Sequence, residues 1–272
     1  MRSRQIPWQP VLIMSRVRSA PTVLARRGNL VVERDPRRPS GRLLCQAGME
    51  ASYVDLADPA HLEFDYMRWM RMVLRAARAR RVIHIGGGAC ALPRALAAED
   101  RAGLQEVCEI DPEVVALARD HLGLRRMPGL RVRVAEGRAF VARAGPGSRD
   151  AIAIDAFVSA SVPRWLITAE GLSDIARVAP LALVNVLDDR SAREVHVVAA
   201  GLSVAYPRVW TLGGRTGNTI VVGESADLEL ALDRIEAGAA ADPSPARLTA
   251  PAAVARLIRG TLPLRDEEIE MP

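Results

Sequence analysis

Apolar residues follow different periods along the chain, and each change of period predicts a change of structure. Between residues 22 and 57 the apolar runs are short, irregular and separated by the turn signals Arg-Gly-Asn and Pro-Ser-Gly, which predict short strands. After Asp58-Pro59, apolar residues from Leu62 to Leu74 recur at helical spacing. We therefore expect a small β domain followed by a helix.

Beyond residue 80, strand-like and helix-like segments alternate. The strand-like runs include RVIHI, QEVCEI, LRVRV, DAIAI and PLALVNV. Their alternation with helical patterns predicts an α/β fold, with a mostly parallel sheet and helices on both faces. The runs YPRVWTL and NTIVVG flank a glycine-rich turn, so we expect them to form an antiparallel hairpin at one edge of the sheet.

These patterns divide the chain into four parts. A basic segment over residues 1–21 precedes the β domain of residues 22–57. The α/β domain follows over residues 58–240, and residues 241–272 combine a Pro-rich linker, one short helix and an acidic tail.

Composition indicates a soluble protein of the cytoplasm. No apolar run approaches the roughly 18 residues of a membrane span, and the basic amino terminus is interrupted by Pro7 and Pro10, which argues against a secretory signal. Cys45, Cys90 and Cys108 are odd in number and lack C-x-x-C spacing, as expected in a reducing compartment. We therefore expect no membrane partner.

The net charge of +5 raises the question of nucleic-acid binding. Every cationic side chain is Arg, and these residues are scattered among acids without interleaved aromatic residues that could stack bases, so a nucleic-acid partner is not expected. The absence of Lys excludes a lysine Schiff base and a P-loop lysine. The four histidines lie far apart, and no metal site is predicted.

The ends of three successive predicted strands carry residues suited to a nucleoside. Gly86, Gly87 and Gly88 follow the first strand and allow a ligand to approach the backbone closely, although a tight turn without a ligand is the alternative. Glu109 ends the second strand, where an acid can accept both ribose hydroxyls. Glu136, followed by Gly137, ends the third and can meet the edge of an adenine or cap a helix.

The pattern favours a nucleoside over a nucleotide. Ala89 and Ala91 stand where a G-x-G-x-x-G dinucleotide motif requires glycines, and no lysine is available for a phosphate. Asp111-Pro112, just after Glu109, is typical of a helix start.

The run of small apolar residues in DAIAI stops at a single carboxylate, Asp155. A carboxylate at this place can act as a general base if a nucleophile comes within hydrogen-bond reach. It can equally cap the following segment, or remain as a relic of lost chemistry.

The sequence resembles the spermidine synthases and their spermidine-synthase-like relatives over roughly residues 28 to 225. The resemblance is carried by motifs in the same order: SYVDL and LEFDYMRWM, VIHIGGGACALPR, CEIDPEVVALAR, RVRVAEGRAFV, DAIAIDAF and LITAEGL. It implies an amino-terminal β domain before a class I methyltransferase-type Rossmann-like sheet. It also implies transfer of an aminopropyl group from decarboxylated S-adenosylmethionine to an amine, in polyamine biosynthesis, leaving methylthioadenosine.

The resemblance also implies residue roles. Glu109 would hold the ribose, Glu136 and Gly137 the adenine end, and Asp155 would deprotonate the attacking amine. Tyr66 matches the tyrosine in the helix before the family's glycine turn, so it is expected near the substrate.

Four positions depart from the family pattern. Ala89 replaces the aspartate of the glycine turn, Val158 replaces the second aspartate after the fourth strand, and Ala51 and Met67 stand where glutamine and histidine are usual. A polyammonium substrate needs carboxylates, and each ion pair lost at a partly buried site is costly. Nearby acids could replace them: Glu50, Asp55, Asp58, Glu63 and Asp65. Of these we take Glu63 as a candidate substrate contact.

Three functions remain open on the sequence. The first is aminopropyl transfer to an amine or another small acceptor. The second is methyl transfer from intact S-adenosylmethionine, since Ala89 offers no charge that would repel the carboxylate of that donor. The third is a nucleoside-binding oligomer without transfer activity. In each case we expect a homo-oligomer, a dimer or tetramer, because a small β domain exposes sheet edges.

Overall fold

The computed structural model describes residues 21–125, 127–188, 191–214 and 217–270. The predicted basic segment therefore lies outside the described residues, except for its last residue. These described residues form two sheets, one of four strands and one of eight.

The amino-terminal sheet is antiparallel, with strands in chain order. Its strands are β1 (Thr22–Arg27), β2 (Leu30–Arg34), β3 (Gly41–Gln46) and β4 (Met49–Asp55). Alternate residues such as Leu30, Val32 and Leu44 are buried and join a core that continues into the following helix, because one face of each strand points inward. The predicted β-rich start of the chain is thus observed, and it precedes helix α1 (Asp65–Ala76).

The larger sheet contains five parallel strands in the spatial order β9-β8-β5-β6-β7, with three antiparallel strands beyond β9. The five strands are β5 (Arg81–Ile85), β6 (Leu104–Glu109), β7 (Leu130–Val134), β8 (Ala151–Ile154) and β9 (Leu181–Asp188). The helices on its faces are α2 (Ala91–Glu99), α3 (Pro112–His121), α4 (Gly137–Ala142), α5 (Ala169–Val178), α6 (Arg193–Ala205), α7 (Leu232–Ala240) and α8 (Pro251–Leu257). The predicted Rossmann-like α/β fold is confirmed.

The predicted hairpin is formed by β10 (Arg208–Gly213) and β11 (Gly217–Glu224), but it does not end the sheet. A short strand, β12 (Arg247–Thr249), pairs antiparallel with β10 and forms the edge. The segment predicted as a Pro-rich linker therefore contains a strand, since its backbone groups satisfy those of β10. Within the described residues, no helix is long and apolar enough to cross a membrane.

Candidate functional site

The glycine turn after β5 is enclosed by backbone on one side and by the amino-terminal sheet on the other. A Cβ atom on Gly86, whose φ is +87°, would lie 2.2 Å from the backbone oxygen of Asp155. A Cβ atom on Gly88, whose φ is +47°, would lie 3.1 Å from the Cβ atom of Ser52 in β4. Both the left-handed backbone and the close contacts require glycine.

Glu109, at the end of β6, binds this turn directly. Its Oε2 atom accepts the N–H groups of Gly87 at 2.8 Å and Gly88 at 3.1 Å, and its Oε1 atom accepts the N–H of Asp111 at 3.1 Å. Asp111 in turn caps α3, with Pro112 in the first turn, as predicted. The structure thus brings the predicted ribose acid and the glycine turn together.

Asp155 lies just after β8, beside the turn, and is held by two neutral donors. The Tyr66 hydroxyl donates to its Oδ2 atom at 3.1 Å, and the Asn185 amide donates to its Oδ1 atom at 2.8 Å. Burial raises the pKa of the Asp155 carboxyl, the two hydrogen bonds oppose that effect, and the charge of Glu109 adds to it. Burial and the charge of Asp155 hold the pKa of the Tyr66 hydroxyl well above its usual range, so Tyr66 remains a donor.

Asn185 is a site residue that the sequence reasoning missed. It lies in the apolar strand β9 and is 1% exposed. Its Oδ1 atom is buried without a hydrogen-bond partner. The one available signal was a lone amide within the run LALVNV, since a buried polar side chain in a central strand requires a partner.

Solved structures were compared with this arrangement. A probable spermidine synthase from Corynebacterium glutamicum ATCC 13032 matches with a TM-score of 0.80 and 26% identity, over 93% of this chain and 100% of that chain. The spermidine synthase from Thermotoga maritima matches with a TM-score of 0.60 and 16% identity, over 86% of this chain and 83% of that chain. A spermidine synthase in complex with the transition-state analogue AdoDATO matches with a TM-score of 0.59 and 16% identity, over 86% of this chain and 82% of that chain.

This chain is similar in structure to a probable spermidine synthase. The first match carries that conclusion, and the two matches at 16% identity show the shared fold alone. No family model and no curated protein matches the sequence. The structural match to the probable spermidine synthase confirms the resemblance drawn from the motifs. It also confirms the class I methyltransferase-type sheet that follows an amino-terminal β sheet.

In this chain, Glu136 caps helix α4. Its carboxylate accepts the N–H groups of Arg138 at 2.9 Å and Ala139 at 2.7 Å, and the indole N–H of Trp165 at 3.1 Å. Gly137 is required by packing, because a Cβ atom there would lie 2.4 Å from Cγ2 of Ile85. The capping role is thus observed, and contact with adenine stays a prediction.

Two exposed apolar side chains accompany these acids. Ile110, next to Glu109, is 57% exposed, and Val134, the last residue of β7, is 53% exposed. Isolated exposed apolar residues are ordinary. These two, however, follow neighbouring strands at the edge of the sheet where the glycine turn lies, the edge at which α/β sheets bind ligands.

The four departures from the family pattern have different environments. Ala89 is fully buried, and its N–H donates to the Ser52 hydroxyl at 3.1 Å. Met67 is a core residue of α1, Ala51 is half-buried in β4, and Val158 is 56% exposed after β8. An aspartate at this fully buried position would lose its hydration, and so would be costly without a partner.

The acids proposed as replacements are engaged elsewhere. Glu63 is exposed and pairs with His61 at 2.9 Å, and no described hydrogen bond joins it to Tyr66 or Asp155. Asp55 is buried against Arg38. Asp58 accepts the N–H of Ala60, and Asp65 that of Tyr66. Glu50 is exposed on β4. In the part of the chain that the structure describes, no group of three His, Cys, Asp or Glu residues could hold a metal.

Proposed function

We propose that this protein is a transferase that moves the aminopropyl group of an adenosyl-sulfonium donor, decarboxylated S-adenosylmethionine, to an amine. The observation that carries the proposal is the Asp155 carboxylate, whose pKa is raised and which lies beside the glycine turn within hydrogen-bond reach of Tyr66 and Asn185. A base whose pKa lies nearer the operating pH transfers protons more effectively.

The donor would lie along the carboxyl edge of the sheet. Glu109 would accept the ribose hydroxyls with the lone pairs that its bonds to the turn N–H groups leave unused. Ile110 and Val134 would pack on the adenine, with Glu136 and Gly137 at its far end. The sulfonium would then face Asp155, and the positive charge of the donor would be attracted by Glu109 and Asp155 together.

The chemical step is one displacement. The amine nitrogen attacks the methylene carbon next to the sulfonium, the C–S bond breaks with its electron pair on sulfur, and methylthioadenosine leaves. A proton of the amine passes to Asp155. Tyr66, held neutral as a donor, keeps the Asp155 carboxylate oriented toward the nitrogen.

The probable spermidine synthase from Corynebacterium glutamicum, with its match over 93% of this chain, favours aminopropyl transfer. Methyl transfer from intact S-adenosylmethionine is the second candidate, and the buried Ala89 favours it. With no acid at that position, a donor that carries a carboxylate meets no like charge there. A non-catalytic nucleoside-binding homologue is the third.

Calorimetric titration with methylthioadenosine and, separately, with S-adenosylhomocysteine tests the proposal. Both ligands share adenosine and differ in the charged tail, so tighter binding of methylthioadenosine is expected. Tighter binding of S-adenosylhomocysteine would favour methyl transfer. If neither ligand binds, the nucleoside site is wrong.

The matching assay measures aminopropyl transfer to diamines by mass spectrometry. We expect Asp155→Asn to lower kcat/KM by about 10²–10⁴, the usual contribution of a general base. The control, Asp227→Asn, changes an exposed carboxylate in the loop after β11 and should leave the rate unchanged. Equal activity of the two variants would remove Asp155 from the mechanism. A cytoplasmic location and a homo-oligomeric state remain part of the proposal.

A further inference from the structure

Asn185 is a polar residue buried in an apolar strand. It lies in the centre of β9 between Val184 and Val186, both fully buried, and is itself 1% exposed. An amide in such a strand loses its hydration and needs both ends paired. In Asn185 the Nδ2 end is paired, with Asp155, and the Oδ1 end is not.

The unpaired Oδ1 atom points to a missing donor. A buried acceptor without a partner costs about 1–3 kcal/mol, and a native structure that retains such an atom calls for an explanation, of which a catalytic role is one. Nδ2 and Oδ1 are bonded to the same carbon atom, so a donor that approaches Oδ1 from the side of Nδ2 also comes close to the Asp155 carboxylate that Nδ2 binds. A group held between Oδ1 and Asp155 would therefore contact both.

We propose that Asn185 selects a primary amine as the nucleophile and fixes the orientation of Asp155, an inference that rests on the transferase function proposed above. A neutral primary amine has two N–H bonds and one lone pair. One N–H faces Asp155, the other donates to Oδ1 of Asn185, and the lone pair is left for the donor carbon. A secondary amine, an alcohol or a thiol has one hydrogen too few, so it leaves Oδ1 unpaired.

The same geometry gives Asn185 a second effect, on the charge of the base. A donor to a carboxylate stabilises its ionised form. Three groups act on Asp155 from the elements packed around it: Tyr66 on α1, Asn185 on β9 and the charge of Glu109 on β6. Loss of the Asn185 donor leaves burial and Glu109 opposed by Tyr66 alone, so the pKa of Asp155 rises further.

The test compares Asn185→Leu, which removes both amide ends at similar volume, with Thr211→Val. Thr211 is 9% exposed on β10 of the same sheet. Thr211→Val is a matched control because it also removes a buried polar group, at a place away from Asp155. The first readout needs no turnover: the carboxyl titration of Asp155 by carbon NMR, assigned with Asp155→Asn. We expect the Asp155 titration to move to higher pH in Asn185→Leu and to stay in place in Thr211→Val.

The second readout is the ratio of kcat/KM for a primary amine to that for its N-methylated analogue. Wild type and Thr211→Val should prefer the primary amine by about tenfold or more, as one hydrogen bond at a buried site allows. Asn185→Leu should lose that preference while binding methylthioadenosine with unchanged affinity.

The outcomes separate the inference from the function on which it rests. An unshifted Asp155 titration in Asn185→Leu, or an unchanged amine ratio, overturns the role of Asn185 while transfer by the wild type still stands. Absence of transfer by the wild type instead rejects the proposed function. In that case the titration still decides whether Asn185 acts on Asp155. The affinities of the two amines for the methylthioadenosine-loaded protein decide whether Asn185 acts on the primary amine.

Discussion

Asp155 is a carboxylate held by neutral donors rather than by a cation. Among the described residues, its hydrogen-bond partners are the Tyr66 hydroxyl and the Asn185 amide. An arginine partner would lower the pKa of the carboxyl and weaken it as a base, whereas neutral donors orient it and leave the effect of burial largely in place. The raised pKa of Asp155 is therefore a direct result of which residues surround it.

Tyr66→Phe should move the acid limb of the pH–rate profile to higher pH. The Tyr66 hydroxyl stabilises the ionised form of Asp155, so its loss raises the pKa of that carboxyl, and more alkaline conditions are then needed to ionise the base. The measurement is kcat/KM against pH.

Tyr206→Phe is the matched control for Tyr66→Phe. Tyr206 is also buried, but its hydroxyl donates to the backbone oxygen of Ala179 at 3.0 Å. We expect the acid limb of the pH–rate profile of Tyr206→Phe to coincide with that of the wild type. A Tyr66→Phe profile that overlays the control would mean that Tyr66 does not act on the base.

The sequence predicted residues whose position follows from a strand end, and it missed those that depend on packing. Gly86, Glu109 and Asp155 each follow an apolar run, so their meeting at one edge was predictable from parallel strands. Asn185 lies within such a run, and its contact with Asp155 depends on the register between β8 and β9. That register brings together residues 30 positions apart, and no local pattern encodes it.

At the scale of elements, the glycine turn is the feature that tolerates substitution least. Gly86 combines a φ of +87° with backbone of Asp155 directly against its Cα. The strain of a left-handed L-residue is about 1–2 kcal/mol, whereas a clash with backbone cannot be relieved by moving a side chain. The turn and Asp155 are thus fixed to each other through the main chain.

Gly86→Ala should therefore destabilise the protein by more than Gly48→Ala. Gly48 has a similar φ of +81°, but the space around it is open, with nothing within 4 Å of an added Cβ atom. Urea unfolding should give a loss of about 1–2 kcal/mol for Gly48→Ala and a clearly larger loss for Gly86→Ala. Equal losses would show that the turn can shift away from Asp155.

Elements with strong local signals were predicted, and a short element that depends on its partner was not. The strands of the parallel sheet are apolar runs bounded by turn signals, so their order along the chain was readable. Strand β12 has three residues, Arg247–Thr249, after Ser-Pro, and it is a strand because β10 offers it a free edge. A pattern that short carries no period of its own.

At the scale of the whole molecule, the amino-terminal sheet both covers the site and exposes edges. Through Ser52 it contacts the glycine turn, and through Arg27 it bonds Glu113 and Asp120 on α3, at 3.2 and 3.1 Å. Among the residues that the structure describes, strand β1 pairs with β2 alone. An unpaired strand edge favours association with a second copy.

We expect the purified protein to have the mass of a dimer or tetramer by light scattering. Val23→Asp places a charge on β1, where Val23 is 49% exposed, and should reduce that mass because charged residues block edge pairing. Val204→Asp is the control, since Val204 is 51% exposed on α6, and it should leave the mass unchanged. A monomeric wild type would contradict the expectation.

The contact between Glu109 and the glycine turn also determines which ligands the site rejects. Backbone N–H groups beside a helix start attract phosphate, but here a carboxylate already occupies those of Gly87 and Gly88. The sequence contains no lysine that could offset this charge at close range. We therefore expect ATP and other nucleotides to be poor competitors of the adenosyl-sulfonium donor proposed for this site.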